Sequence, residues 1–562
     1  MNFKKRYISL LAIFSLAVGL VQAQDKTEAA TDNNYASIVR NIDLLNSIVK
    51  ELNMYYVDTI NNDKTTEAAI KALLNEIDPY TVYIPAREQE DFMVISTGEY
   101  GGIGSIISKN KKGETIISQP YTGSPALKAG LRPGDVIIKI DTMEITPQWS
   151  IDQVSASLKG QMNTPLQVTV RRPWVADSIL TFDIIREKIK VNSVPYYGIV
   201  KGDVGYIQLT TFNEKSAQEV KDALIDLRKQ GAKSIVLDLR GNGGGILDAA
   251  VGIVGHFVPK GTEVLKTRGR LKQSEKTYKT TQAPVDTEIP LAVLIDGSSA
   301  SASEITAGAL QDLDRAVIIG NRSFGKGLVQ GSRPVAGDGL LKVTIAKYYI
   351  PSGRLIQAID YSHRNAMGEA MRVPDSLTTV FHTAAGREVR DGGGITPDVK
   401  VEYPEINRLV YNVIRDSWAF DFATKYAAEH KTIPPVDDFV ITDEIYEDFI
   451  NFINPDEFEY DKVSESIIDQ LRKAAKLEGY LNEETEAEIN KLEAMLKHDL
   501  RNDLEINRPA ISDILAGEIV KRYYNEAGEV REYLKHDPGI NTVSDVMKSP
   551  ERVKEILSVP KK

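Results

Sequence analysis

A several-block α/β protein, helical at both ends, is what the sequence predicts, and three observations carry that reading. Apolar residues recur at helical spacing near the two ends. A second block breaks into short strand-like runs separated by turn residues. A third alternates buried-looking strands with an amphipathic helix, the pattern of a sheet flanked by helices. At 562 residues the chain has room for several domains, and 42% hydrophobic with 26% charged residues is the make-up of ordinary folded protein. A formal net charge of −11 argues against a general nucleic-acid role.

The blocks follow in order. Lys4, Lys5 and Arg6 form a basic start, and an apolar run from about Tyr7 to Leu20 leads to Val21-Gln22-Ala23. That is the layout of a cleavable signal peptide over residues 1–23, with the mature chain starting near Gln24. The run is short for a membrane span of ~20 residues, and no cysteine follows it for lipid attachment. An exported chain with no cysteine at all depends on packing rather than disulfides; a bacterial periplasm is the expected compartment. Residues 24–92 read as helical, with SIVRNIDLLNSIVKELNMYYV and TTEAAIKALLNEI patterned at helical spacing, the second ending at Asp78-Pro79.

Residues 93–187 hold the runs GSIIS, TIISQP, DVIIKI, LQVTVRR and LTFDII. Gly101-Gly102-Ile103-Gly104 is a glycine-rich turn ahead of a strand, able to present backbone N–H groups to a terminal carboxylate; the alternative is a plain tight turn. Residues 188–403 supply GYIQLTTF, SIVLDLR, LAVLID, AVIIG and LLKVTIAKYY as strands, with EKSAQEVKDALIDLRKQ as a helix between the first two. After the second of these strands comes Asp238-Leu-Arg240-Gly-Asn242-Gly243-Gly244-Gly245, where glycines let a ligand approach the backbone. Residues 404–562 are helical and rich in Glu, Lys and Asp, read either as a solvated extension or as an oligomer or adaptor surface.

Chemistry concentrates in DGSSASASEITAGALQDLDRAVIIGNRSFGKGLVQ, residues 296–330. Ser301 opens an S-x-x-E capping box with Glu304, which places it at a helix N-terminus. It either caps the helix or, with unpaired N–H groups beside it, acts as a nucleophile. Lys326 follows 25 positions later between glycines. A lysine can serve a serine as base if its environment depresses its pKa. Gly320 to Lys326 nearly spells a phosphate loop, but Gly327 stands where its magnesium-binding hydroxyl belongs. Thiol chemistry is excluded, and none of the six histidines sits in a recognisable triad or metal motif.

SASASEI, RAVIIG and FGKGLVQ together resemble the signature of the C-terminal processing peptidases, the tail-specific serine proteases. Gly123-Ser-Pro-Ala-Leu-Lys-Ala-Gly130 with LRPGDVIIKID resembles a PDZ domain, and PSGRLIQ and DGGGITPDV also match the protease family. The resemblance implies a ClpP/crotonase-like core at 188–403 with an inserted PDZ domain at 93–187. It implies Ser301 as nucleophile, Lys326 as base, and Gln330, one helical turn on, to orient the lysine. Gly244, with Gly245 close behind, and Ala302 would supply the oxyanion N–H groups. Gly101, Gly102, Ile103 and Gly104 would bind the substrate tail, with Tyr100 and Ile103 shaping an apolar pocket and Arg171 or Arg172 sensing the bound peptide. No metal or other cofactor is implied, and the partners are protein or peptide substrates with free C-termini. A PDZ-bearing scaffold with an inactive core is the other class of reading; retention of both serine and lysine speaks against it.

Overall fold

The computed structural model describes residues 35–365 and 370–559; the expected signal peptide lies outside them. Among the described residues no helix is long and apolar enough to cross a membrane. Contacts divide the chain into two compact units, Met1–Tyr83 and Ile84–Lys562. The first contains a helix over 35–55 and a second over Asn62–Asn75. Past that helix, the Asp78 carboxylate accepts the N–H groups of Tyr80 and Thr81 at 2.8 and 2.7 Å, fixing the DPYT turn.

The second unit begins its β structure with β1 (Glu99–Gly102), β2 (Ser105–Lys109), β3 (Thr115–Pro120), β4 (Val136–Ile140), β5 (Pro165–Arg171), β6 (Ile179–Ile185) and β7 (Glu187–Lys190). Strands β2 to β6 pair in chain order as an antiparallel sheet, and β1 pairs with β7. Short helices α1 (Pro125–Ala129) and α2 (Ile151–Leu158) complete this small domain. Both start on a serine cap: Ser124 and Ser150 accept from backbone N–H groups three residues on. Ile117, Ile137, Val154, Val168 and Val170 form its own apolar core.

The central sheet is built from β8 (Tyr196–Val200), β9 (Val204–Gln208), β10 (Ser234–Asp238), β11 (Leu291–Ile295), β12 (Val317–Gly320) and β13 (Val399–Lys400), adjacent in that order. The first pair is antiparallel and every later pair parallel. Helices α3 (Ser216–Lys229), α4 (Leu247–Val254) and α5 (Ala302–Asp312) pack on one face. Alternation along the strands explains the second face: Ile235, Leu237 and Val293 join the α3–α5 core, while Val236, Ala292 and Leu294 point the other way. That other face is closed by Ile540, Val543 and Val546 of α7 (Pro538–Met547), which follows α6 (Arg508–Leu534), a helical stretch broken by non-helical backbone at Asn525. The end of the chain is therefore not simply a solvated extension; part of it covers the central sheet. The helices before α7 build a separate core around Trp418, Phe422, Phe449 and Ile519.

Candidate active site

Three neighbouring parallel strands, β10, β11 and β12, end on one side of the sheet, where α/β folds place their ligands. Each delivers one piece of the site. After β10 comes the glycine loop 239–245, after β11 the turn carrying Ser301, and after β12 the loop carrying Lys326.

Ser301 stands immediately before α5 with φ 57° and ψ −112°. A positive φ in a non-glycine residue is strained, by about 1–3 kcal/mol, and such strain gathers at functional turns. Behind it every residue of α5 is buried. The Ala302 N–H, at the first helical position, has no hydrogen-bond partner among the described residues.

The carboxylate of Glu304 organises the rest. It is fully buried, and its Oε2 accepts the backbone N–H of Ser301 at 2.9 Å and that of Lys326 at 2.8 Å. Its Oε1 accepts from Ser323 Oγ at 2.5 Å and the Gly325 N–H at 2.7 Å. Burial drives this carboxyl up to about 7, against the pull of its donors. On the opposite side of the same two residues, the buried Tyr348 hydroxyl lies 3.2 Å from the Ser301 carbonyl and 2.5 Å from the Lys326 carbonyl. Glu304 thus holds the N–H groups of the two residues singled out as nucleophile and base, and the Tyr348 hydroxyl sits between their carbonyls, nearer that of Lys326. In the sequence Glu304 is legible only as a capping residue. Its hold on the lysine loop depends on tertiary contact, and Tyr348 carries no local signal.

The lysine loop is packed from two further sides. Gly327 N–H donates to Gln357 Oε1 at 2.7 Å, and a Cβ at Gly325 would meet the Ala358 methyl at 2.3 Å. Ser323 exchanges hydrogen bonds with Ile395, at 3.0 and 2.6 Å. PSGRLIQ and DGGGITPDV, motifs with no assigned chemistry in the sequence, are the walls of this loop. Gln330 departs from expectation in its secondary structure: Leu328–Val335 is a strand, antiparallel to Gly339–Tyr349, so the glutamine is not a helical turn beyond the lysine. Gly331 and Pro334 favour the extended form over a helix. The Gln330 side-chain amide donates to Thr344 on the partner strand at 3.3 Å.

The glycine loop reaches the same point. A Cβ on Gly244, whose φ is 100°, would lie 2.8 Å from Ser301 Cβ and 2.9 Å from the Ala302 nitrogen. Gly244 N–H donates to Asn242 Oδ1 at 2.9 Å, and Asn242 Nδ2 in turn holds the Leu209 carbonyl at 2.7 Å. Ala300 N–H and Ser303 Oγ both donate to the Asn242 carbonyl, at 3.1 and 2.8 Å, while Asp296 receives the Gly241 N–H at 3.1 Å. Glycine loop and serine turn are one hydrogen-bonded body.

In the small domain, Gly101 and Gly102 lie in β1, and Gly104 has φ 72° with no room for a Cβ beside Ser124. Ile103 is buried in the domain's core rather than lining an open pocket. The two arginines expected to sense the peptide are engaged: Arg171 pairs with Glu114 at 2.7 Å, and Arg172 holds both oxygens of Asp135 at 2.7 Å.

Sequence comparisons agree with this geometry. Residues 203–362 match peptidase family S41, 116–172 match a PDZ domain, and 409–547 match the C-terminal helical domain of probable PDZ-proteases. The carboxy-terminal-processing protease of Bartonella bacilliformis is 37% identical over 63% of this chain and 81% of its own length. The chain belongs to peptidase family S41. A probable CtpA-like serine protease of Staphylococcus aureus strain MRSA252 is 32% identical over 83% of this chain and 84% of its own. Among solved structures, the photosystem II D1 C-terminal processing protease is 27% identical over 63% of this chain and 86% of that one, with a TM-score of 0.35. This S41 peptidase is accordingly a serine protease of the carboxy-terminal-processing kind, with a PDZ domain and an α/β core.

Proposed function

We propose that this S41 peptidase is an exported, periplasmic endopeptidase that cuts protein substrates near their C-terminal tails by a Ser–Lys mechanism. The observation that carries the reading is the shared oxygen: Glu304 Oε2 receives the backbone N–H groups of Ser301 and Lys326 together, so the two backbones keep one spacing and only the lysine side chain has to move.

The Ser301 hydroxyl attacks the scissile carbonyl while its proton passes to Lys326 Nζ. Negative charge gathers on the carbonyl oxygen, beside the Ala302 N–H and the Gly244 N–H, the latter exchanging Asn242 Oδ1 for the stronger acceptor. Lys326 then gives its proton to the leaving amine, and the C–N bond breaks to leave an ester on Ser301. Water, deprotonated by Lys326, attacks the ester; the acid product leaves and the proton returns to Ser301. Gln330 orients the lysine from its strand. No metal or nucleotide takes part. The PDZ domain recognises the free C-terminus through Gly101, Gly102, Ile103 and Gly104, with the peptide added along the open edge of β2. Tail binding also gates the enzyme, by favouring the conformation in which Lys326 reaches Ser301.

The test compares wild type, Ser301→Ala and Lys326→Ala on a folded reporter with a flexible apolar C-terminal tail, EDTA present throughout and products read by intact mass. Cleavage by the wild type alone supports the assignment; equal cleavage by all three refutes it. Gating is checked by a saturating apolar-tailed peptide, which should raise cleavage of an unrelated reporter; an unchanged rate removes that part.

A further inference from the structure

Arg240 lies in the glycine-loop motif, two residues ahead of Asn242, and its guanidinium is nearly buried. Within the motif it holds Asp238 at 2.5 Å, and Asp238 also accepts from the Tyr206 hydroxyl at 2.9 Å. Its other partner is almost 300 residues away in the chain. Asp537, the N-cap of α7, is fully buried and takes Arg240 with both oxygens, at 2.6 and 3.0 Å. Tyr403 Oη accepts from the same guanidinium at 3.1 Å. Asp537 also accepts the Gly539 N–H at 2.8 Å, and a Cβ on Gly539 would press to 2.7 Å from Tyr403 Oη and 3.0 Å from Arg240. The join is tightly packed, with no exposed surface left on the Asp537 side chain, and a two-pronged arginine–carboxylate contact fixes direction as well as distance.

From this join the backbone runs directly to the reacting atoms. Gly241 N–H is held by Asp296, the Asn242 carbonyl by the serine turn, and Gly244 packs on Ser301 and the Ala302 amide. We infer that Asp537 of the C-terminal helical region is a positioning residue for catalysis: through Arg240 it sets the glycine loop whose N–H groups receive the oxyanion. The helical region thereby acts on the chemical step, in addition to closing the sheet. Asp537 does not touch substrate. Its removal leaves Arg240 a buried cation with one carboxylate fewer, and the loop free to follow it.

This rests on the Ser301 reading above, and the experiment separates the two. A peptidyl boronate, which forms a tetrahedral adduct on a serine oxygen, probes the oxyanion site; the unreactive peptide amide of the same sequence, measured in a Ser301→Ala background, probes ground-state binding alone. For Asp537→Asn, kcat should fall at least 30-fold with KM within twofold. Boronate affinity should fall in parallel, while amide affinity stays within twofold. Asp537→Glu should recover part of the loss, and Tyr403→Phe, a milder removal of one Arg240 partner, should give about a threefold fall in kcat should Asp537→Asn fold poorly. Asp545→Asn, an exposed carboxylate on the same helix, is the control. Equal losses of boronate and amide affinity, or no loss of either, overturn the inference and leave α7 a purely structural cover. Boronate binding undiminished by Ser301→Ala overturns the serine assignment itself, and this inference with it.

Discussion

Two glycine-rich turns in this chain look alike in sequence and are held by different physics. The turn 101–104 of the PDZ domain is held by shape: a Cβ on Gly101 would fall 2.2 Å from the Gly160 carbonyl, and one on Gly102 2.9 Å from the Tyr100 ring. The loop 241–245 of the protease core is held by polar side chains, with Asn242, Asp296 and Arg240 each bonding across to another segment. The first should be sensitive to added carbon and indifferent to charge. The second should be sensitive to added carbon where it meets Ser301, and to loss of the polar groups that hold it wherever they lie.

The largest effect is expected where the second loop touches the serine. Gly244→Ala needs a strained φ and pushes carbon against Ser301 and the Ala302 amide, so kcat/KM should fall by about 10³-fold, with far-UV circular dichroism unchanged. Next is Glu304→Gln. Gln offers one acceptor oxygen and an NH₂ group to four donors, so two hydrogen bonds become clashes whichever way it turns. A fall of about 10²-fold in kcat is expected, with a stability loss of about 1–3 kcal/mol in denaturant titrations. That loss should depend on pH in a definite direction. Glu304 titrates near 7 in the fold and near ~4.3 in the unfolded chain, so the folded state holds more protons between those values. Its contribution is fully present below the lower value and is lost as pH rises through 7; the wild-type margin over Glu304→Gln should shrink over that window, and a margin that grows would contradict the burial account.

Smaller again is Gly101→Ala, expected to weaken binding of an apolar tail peptide to the PDZ domain about 10-fold by fluorescence anisotropy, since overpacking costs about 1–3 kcal/mol. The smallest is Gly243→Ala. Gly243 has no positive φ and nothing within 4 Å of a Cβ, so kcat and KM should stay within about twofold. Its outcome sharpens the contrast with Gly244 one residue away: a glycine at 243 is permitted, not required.

What could be read in advance follows the range of each interaction. Strand alternation, the serine caps and the spacing of Ser301 from Lys326 are local or motif-borne, and β2 to β6 and β9 to β12 fall where the apolar runs put them; β8 is not among those runs. Gln330 was misread in its secondary structure because four residues is also a helical interval, and only pairing with Gly339–Tyr349 decides for a strand. Glu304 was half legible: the capping half lies within four residues, the half that binds Gly325 and Lys326 does not. Asp537 and Tyr348 gave no signal, since an isolated Asp-Pro or a tyrosine in an apolar strand announces only a helix start or a core residue.

The helix behind Ser301 has no exposed residue, and a body packed on every side has no direction in which to yield. The strand after Lys326 is different: it is buried at Leu328, half-buried through Gly331 and exposed from Ser332 to Val335. Room to shift thus lies in the exposed end of this strand, from Ser332 on, while the backbone of Lys326 itself is held with that of Ser301. An inhibitor that reads only the serine turn meets a surface with no room to adjust, whereas one that reaches past Lys326 to the strand end meets one that has it.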